Sequence, residues 1–313
     1  MNDETAILIT AFNRPSFLRS LLESLRSSPF PIYVSIDCAK IGDYRNQALV
    51  AECQVIALEF SEKIVDTRLP QVNQGCFLGV SSAISWGFTK ASRLIILEDD
   101  ILPTDAFFDF VSKMLIEFQS DNRVGSIGGT NLVPDQFITD SVAPYRFSAY
   151  STSWGWATWF DRWKDYERDL PIFPNLDFKT PSGFWSKVKK FYWNKIFRAT
   201  ATGKIDTWDY RWIYSNWKNN RLAVIPNANL VLNVGFGVDA THTHDTPWWL
   251  PIYTDKTYTA DVKPLPPVRD LMADRWMEAN HFRSTFSLQV RNVISSKYPR
   301  IAAIYRRHLK SHV

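Results

Sequence analysis

Arg93-Leu94-Ile95-Ile96-Leu97-Glu98-Asp99-Asp100-Ile101-Leu102-Pro103 joins a run of large apolar residues to three consecutive carboxylates. The apolar run has no polar alternation, which predicts a strand buried on both faces, as in a parallel sheet covered by helices. Packed at one strand end, the three acids repel one another and resist desolvation. A positive group is therefore expected to share the site, most simply a divalent cation with oxygen ligands. Pro103 is expected to pre-set the first turn of a helix that gathers Phe107, Phe108, Val111, Leu115 and Phe118 on one face. The acids then sit at a strand-to-helix corner, and in open α/β sheets ligands bind in the crevice outside the carboxyl ends of the strands. One acid would be enough to favour a helix dipole. A triple after a fully apolar strand is better explained by metal and ligand chemistry.

Upstream, Ala6 to Ala11 reads as a first buried strand, and Asn13-Arg14-Pro15 opens a helix with Leu18, Leu21, Leu22 and Leu25 on one face. Ile32 to Ile36 is a second strand ending in Asp37, and Tyr44 to Phe60 a second helix. Val72-Asn73-Gln74-Gly75 turns into a helix near Val80 to Phe88. This alternation predicts a doubly wound sheet with right-handed crossovers. Polar tips fall at three strand ends: Asn13 and Arg14 after the first, Asp37 after the second and the acidic triple after the fourth. Their convergence at one sheet edge suits a nucleotide. Neither G-x-G-x-x-G after the first strand nor G-x-x-x-x-G-K-S/T is present, so the usual dinucleotide and P-loop phosphate cradles are excluded.

At 313 residues the chain can bury a sizeable core. Aromatic residues reach 15%, with 13 Trp, and rings in such number serve stacking on a ligand as well as packing. A net charge of +4 does not call for nucleic acid and is compatible with an anionic small molecule. Cys38, Cys53 and Cys76 have no C-x-x-C spacing and read as reduced structural residues of a cytoplasmic protein. Met1-Asn2-Asp3-Glu4 opens without a basic region and apolar run, and no stretch has the apolar length to span a bilayer.

On Ile7-Leu8-Ile9-Thr10-Ala11-Phe12-Asn13-Arg14, Val34-Ser35-Ile36-Asp37-Cys38 and Leu97-Glu98-Asp99-Asp100 followed by Phe107-Phe108, the chain resembles the GT-A glycosyltransferases. It is similar in detail to N-acetylglucosaminyltransferase I and related bacterial enzymes. The resemblance implies a GT-A type α/β fold: a single nucleotide-sugar-binding, doubly wound mixed sheet flanked by helices, with a C-terminal helical extension. It implies UDP-sugar as donor, with Thr10, Phe12, Arg14 and Asp37 at the nucleotide, Asp99 at the ribose and Glu98 at the transferred sugar. Asp100 would hold Mn2+ (or Mg2+) bridging the diphosphate. An aspartate can accept from the uracil imide, and carboxylate and diphosphate oxygens are the hard ligands such a cation prefers. The stretch Asn73 to Gly79 departs from the family in carrying none of the basic residues expected before the acidic triple.

Downstream, Val124 to Thr130 reads as a strand in which Gly125, Gly128 and Gly129 permit close backbone approach. In Ser151-Thr152-Ser153-Trp154-Gly155-Trp156-Ala157-Thr158-Trp159-Phe160-Asp161-Arg162-Trp163, the rings of Trp156, Trp159, Phe160 and Trp163 fall at helical spacing and are expected to face the core. Trp154, ahead of the glycine, is the candidate surface under a sugar ring. Asp206-Thr207-Trp208-Asp209-Tyr210-Arg211-Trp212 opens a helix running through Trp217. Its Trp208-Asp209 pair resembles the family's tryptophan-aspartate dipeptide. This implies Asp209 as the base that takes the acceptor's proton, with Trp208 at the acceptor and Asp206 in reserve.

Leu222 to Ile225 and Leu230 to Leu232 read as short strands leading into Asn233-Val234-Gly235-Phe236-Gly237-Val238-Asp239-Ala240-Thr241-His242-Thr243-His244-Asp245. In GT-A enzymes a loop in this position closes over the donor, which implies Thr241 at the diphosphate and His242 at the metal or diphosphate, with His244 as the other candidate. Pro264-Leu265-Pro266-Pro267 reads as a stiff linker and Val268 to Ser287 as helical. The tail from Val290 to Val313 is basic, has no acid, and repeats apolar residues at helical period, so it is either a helix pair packed on the body or a contact with an anionic membrane.

The expected organisation is a catalytic domain over 1–262, with a nucleotide-sugar half to 130 and an acceptor half with the closing loop beyond, then a linker and basic extension over 263–313. The expected activity is inverting, metal-dependent transfer of a sugar, with N-acetylglucosamine as the named candidate, to a hydroxyl of a saccharide or glycolipid. A nucleotidyltransferase would want a Gly-rich basic loop, which Thr10 to Arg14 does not supply. A non-catalytic carbohydrate-binding protein would have no need of three clustered acids.

Overall fold

The structure is a computed structural model that describes residues 4–172, 187–235, 264–282 and 284. Strands β1 (Thr5–Ala11), β2 (Ile32–Ile36), β3 (Ile64–Arg68) and β4 (Arg93–Glu98) are parallel, in the order β3-β2-β1-β4. Helices α1 (Pro15–Ser24), α2 (Tyr44–Glu59) and α3 (Gly75–Gly87) connect them. The sheet continues as β8 (Trp156–Trp159), β6 (Val124–Gly128), β9 (Leu222–Pro226) and β7 (Tyr145–Ser148), giving eight strands in all. β8 is antiparallel to both β4 and β6, β9 is parallel to β6, and β7 is antiparallel to β9. The expected mixed α/β sheet flanked by helices is thus observed.

Both faces of β1 and β4 are covered, which is why their sequences are apolar without alternation. Ile7, Ile9, Ile95 and Leu97 face α1, α2 and α4 (Asp105–Glu117), packing with Leu18, Leu21, Ile56, Phe107 and Phe110. The residues between them, Ala6, Leu8, Leu94 and Ile96, face the other way, onto Ala83 and Ile84 of α3, Phe88 just after it, and Trp163 and Trp212. Each fully buried Leu, Ile or Phe contributes roughly 1.5–3 kcal/mol of transfer free energy, so this doubly covered strand is among the most firmly held parts of the molecule. Whatever chemistry sits at its end is fixed in space.

A third cluster gathers α6 (Lys187–Ala201), α7 (Asp209–Lys218) and α8 (Leu271–Asn280) around Trp193, Phe197, Trp217 and Trp276. Asp270 caps α8 through the N–H groups of Met272 and Ala273, and it also accepts from the Thr139 N–H and hydroxyl. The buried Asp274 accepts from Ser148 Oγ and from the Ala149 N–H at 2.9 Å. Leu265 donates its N–H to Tyr145 Oη at 2.8 Å. The described residues beyond 263, expected to be a linker and the start of an extension, are bonded to β7 and the residues beside it. The basic tail lies outside the described residues. Among the described residues no helix is long and apolar enough to cross a membrane.

Two local expectations are corrected. Pro103 does not open a helix: it ends β5 (Ile101–Pro103), a short strand antiparallel to β10 (Val231–Asn233), and α4 begins at Asp105 after Thr104 caps it by accepting the Phe107 N–H. A proline without an N–H is tolerated at the rim of such a two-stranded ribbon. Trp156 to Trp159 form strand β8, not a helix, and α5 (Phe160–Trp163) is one turn long. Trp156 packs on one face of the sheet while Ala157 and Trp159 pack on the other, a period of two inside a spacing that also fits a helix. Of the four rings expected in the core, Trp156, Trp159 and Trp163 are buried and Phe160 is exposed.

Candidate functional site

The parallel register sets Thr10 of β1 beside Glu98 of β4, and the Asp99 N–H donates to the Thr10 carbonyl at 3.1 Å. The Asp37 N–H, just past β2, donates to the Ala11 carbonyl at 2.9 Å. Ends of three adjacent strands therefore open onto one cleft of about 540 Å3. Its walls include Thr10, Phe12, Arg14, Asp37, Glu98, Asp99, Asp100 and Trp154, all of them residues singled out from the sequence.

Arg14 precedes α1 and reaches across to the acids. Its guanidinium bonds Asp100 Oδ2 at 2.6 Å through Nη1 and Asp99 Oδ1 through Nη2. One cation thus faces three carboxylates. Burial, then the charges of Asp100 and Asp99, push the Glu98 carboxyl up to about 8, with Arg14 opposing. Asp99 is pushed up to about 6, also chiefly by burial, against the pull of Arg14 and a hydrogen bond from the Phe12 N–H. Asp99 is 1% exposed, yet its Oδ2 has no hydrogen-bond partner.

Leaving a buried carboxylate oxygen unbonded is costly, so this corner is built to receive something positive or a hydrogen-bond donor. The donor set is all oxygen, which suits Mn2+ or Mg2+. Among the described residues no group of three or more His, Cys, Asp or Glu converges into a ready cage. Asp99 and Asp100 are the carboxylates that could hold such a cation, which would supply positive charge at the strand end.

Asp37 has an occupation of its own. Its carboxylate accepts N–H bonds from Cys38 at 2.9 Å, Gln74 at 3.1 Å and Gly75 at 3.0 Å, and from the Asn73 side chain at 3.3 Å. It thereby anchors the turn into α3, and burial raises its pKa despite those bonds. Arg68 stands behind it, bonded to Ser35, Gln74 and Ser82.

The next N–H groups of the same helix are held from the opposite half. Asp206 accepts from Cys76 at 3.2 Å and Phe77 at 3.1 Å. Asp206 lines the cleft, whereas Asp209, the first residue of α7, does not. Asp209 accepts the Thr207 hydroxyl at 2.5 Å and the Tyr210 N–H at 2.7 Å, and its charge is still felt at Glu98.

Trp208 is displaced from its expected role at the acceptor. It is 4% exposed and stacks on Trp156 with centroids 5.2 Å apart, so the ring is spent inside the core. Trp154 does reach the cleft wall.

Asn233 and Gly235 bring the root of the expected closing loop to the acids. Val234 donates its N–H to the Asp100 carbonyl at 2.9 Å, and both Asn233 and Gly235 line the cleft. Thr241, His242 and His244 lie outside the described residues.

The sequence reading did not single out Lys40, Asp43, Asn46 or Cys76, all on the cleft wall. Lys40 supplies positive charge that the 73–79 stretch lacks, and its place three residues after a strand-end aspartate was the available signal.

No protein-family model matches the sequence, and no curated protein matches it. Among solved structures the chain is similar to S. aureus TarS 1–349, with 12% identity over 73% of this chain and 59% of that one, at a TM-score of 0.44. A second S. aureus TarS structure gives 13% identity over 71% of this chain and 35% of that one, at a TM-score of 0.41. Mannose-1-phosphate geranyltransferase from Thermus thermophilus gives 12% identity over 71% of this chain and 73% of that one, at a TM-score of 0.35. The chain thus matches 59% and 35% of the lengths of the two TarS structures. Likeness at this level concerns the path of the backbone and carries no argument about activity.

Proposed function

We propose that the chain is an inverting glycosyltransferase of GT-A type that moves a sugar from a UDP-sugar to a hydroxyl of a saccharide or glycolipid, with N-acetylglucosamine as the first sugar to test. The reading rests above all on three carboxylates at the end of the doubly covered strand β4, one of them with a buried oxygen left unbonded, on the floor of a cleft of nucleotide-sugar size.

Asp100, with help from Asp99, would hold Mn2+ or Mg2+, which when bound offsets the charge developing on the departing diphosphate. Arg14 keeps Asp99 and Asp100 together against their repulsion and contributes fixed positive charge at the same corner. Glu98, whose carboxyl burial and the charges of Asp100 and Asp99 hold above the usual carboxylate range, lines the cleft where a sugar hydroxyl would lie. Lys40 adds charge at the mouth, and Trp154 offers a ring face on the acceptor side.

The proton of the attacking hydroxyl goes to a carboxylate of the Asp206–Asp209 turn. Asp209 is the acid that the resemblance names, and Asp206 is the one on the cleft wall. A carboxylate in reach of the hydroxyl supplies roughly 10²–10⁴ in rate.

Calorimetric titration of UDP with and without Mn2+, on the wild type and on Asp100→Ala, tests the reading. Binding is expected to depend on Mn2+ in the wild type and to vanish in Asp100→Ala, with UDP released from UDP-sugars during turnover. Release of pyrophosphate from a nucleoside triphosphate and a sugar 1-phosphate would instead mark a nucleotidyltransferase, and saccharide binding indifferent to UDP would mark a binding protein.

A further inference from the structure

Helix α6 has a buried and an outward side. Trp193, Phe197 and Thr200 are each 0% exposed and face the third core cluster and its surroundings. The opposite stripe carries Phe191, Lys195, Arg198 and Thr202, spaced three or four residues apart and so on one side of the helix. Phe191 is 56% exposed, and Ile172 beside the same groove is 52% exposed. The groove, of about 710 Å3, is completed by Asn194, Ala199 and Lys204, and no acid lines it among the described residues. The helix sequence itself, Lys187–Ala201, has five basic residues and no Asp or Glu.

Among the described residues the core accounts for Trp193 and Phe197 but not for the exposure of Phe191, Lys195 and Ile172. A large aromatic and an isoleucine lifted into solvent, ringed by Lys195, Arg198 and Lys204, form the pattern of a surface that meets an anionic lipid interface. The apolar rings enter the acyl boundary while Lys and Arg remain at the headgroups. Charge complementarity favours anionic over zwitterionic lipid. The position is also informative, because Lys204 lies two residues before Asp206, which lines the cleft on the side opposite the acidic strand end. A bilayer against α6 would therefore lie near that side of the cleft.

We propose that the outer face of α6, with Phe191 and Ile172 at its centre and Lys195, Arg198 and Lys204 around them, is a docking surface for anionic phospholipid membrane. It acts independently of the basic tail and of the chemistry in the cleft.

Sedimentation of the full chain with phosphatidylcholine vesicles, with and without phosphatidylglycerol, tests this. The wild type is expected to pellet with the anionic vesicles and to be released by salt. The variant Lys195→Gln/Arg198→Gln/Lys204→Gln should partition about a hundredfold more weakly, since each charge near such a surface is worth roughly 1 kcal/mol. Phe191→Ser should bind about tenfold more weakly at every salt concentration. Both variants should melt like the wild type and bind UDP unchanged, which separates a failure here from a failure of the glycosyltransferase reading. The proposal is overturned if the triple variant pellets as the wild type does, if neutral vesicles bind equally well, or if the chain binds soluble heparin but not vesicles.

Discussion

Gly235 lies against Asp100 so closely that a Cβ on the glycine would stand 1.9 Å from Asp100 Oδ2 and 2.7 Å from its carboxyl carbon. The chain that follows β10 is therefore held to the acidic corner by contact, as well as by the hydrogen bond from Val234 to the Asp100 carbonyl. Substituting Gly235→Ala must turn the Asp100 carboxylate or lift the root of the following segment. Turnover should fall at least tenfold with little change in melting temperature, because the contact is at a rim and not in the core. Equal turnover would mean that Asp100 does not need its present orientation.

Arg14 supplies two charge-assisted bonds to a pair of acids that are almost wholly buried. Arg14→Met leaves those acids uncompensated and should cost roughly 2 kcal/mol of stability, less than a fully buried pair because the arginine is 20% exposed. Mn2+ should raise the melting temperature of this variant more than that of the wild type. Arg14→Lys should restore little, since an ammonium cannot hold both carboxylates in one fork.

Asp37 bonds two backbone N–H groups at the start of α3, those of Gln74 and Gly75, and the N–H of its neighbour Cys38. Asp37→Asn keeps the shape but replaces one acceptor oxygen by a donor, so chemical denaturation should show a loss of about 1–2 kcal/mol. If stability is unchanged while UDP affinity drops, the carboxylate serves the nucleotide and not the helix.

The two acids of the α7 approach are separable. Asp209→Asn should lower kcat by at least a hundredfold and leave UDP binding intact. Asp206→Asn should have a smaller effect on kcat and a measurable effect on stability, because Asp206 holds the N–H groups of Cys76 and Phe77. The reverse pattern would transfer the base to Asp206.

Burial lowers the His281 imidazole to about 4 from 6.5. Between those values the unfolded chain takes a proton that the folded chain refuses, so stability must fall as pH drops from 6.5 towards 4 and is unaffected by this group above 6.5. Between pH 7 and pH 5 the loss from this one group is on the order of 2 kcal/mol. Urea unfolding at pH 7 and pH 5 should show the fall, and His281→Gln should flatten it.

The strand-end side of the cleft, with Arg14, Asp37 and the three acids, was readable from the chain because its ingredients are local. An unalternating apolar run of strand length, set between helical patterns, predicts a doubly covered strand, and the residues after β1, β2 and β4 then emerge side by side at one edge. The side of the cleft formed by the later half of the chain was not readable in the same way. Trp208 looked like a ligand contact from its neighbour Asp209, but whether a ring faces solvent depends on what packs over it. Trp156 does so here, from a strand whose four residues also fit a helical spacing.

By itself, then, the sequence determined the parallel strands, their helices and the clustering of Arg14, Asp37, Glu98, Asp99 and Asp100, since all of these follow from period and order along the chain. Only the tertiary structure decided that Arg14 joins Asp99 to Asp100, that Asp206 and not Asp209 reaches the wall, that Gly235 touches Asp100, and that Phe191 and Lys195 stand on the exposed side of α6. Those contacts join residues as many as 135 positions apart, and no local pattern encodes which distant side chain will fill a given gap.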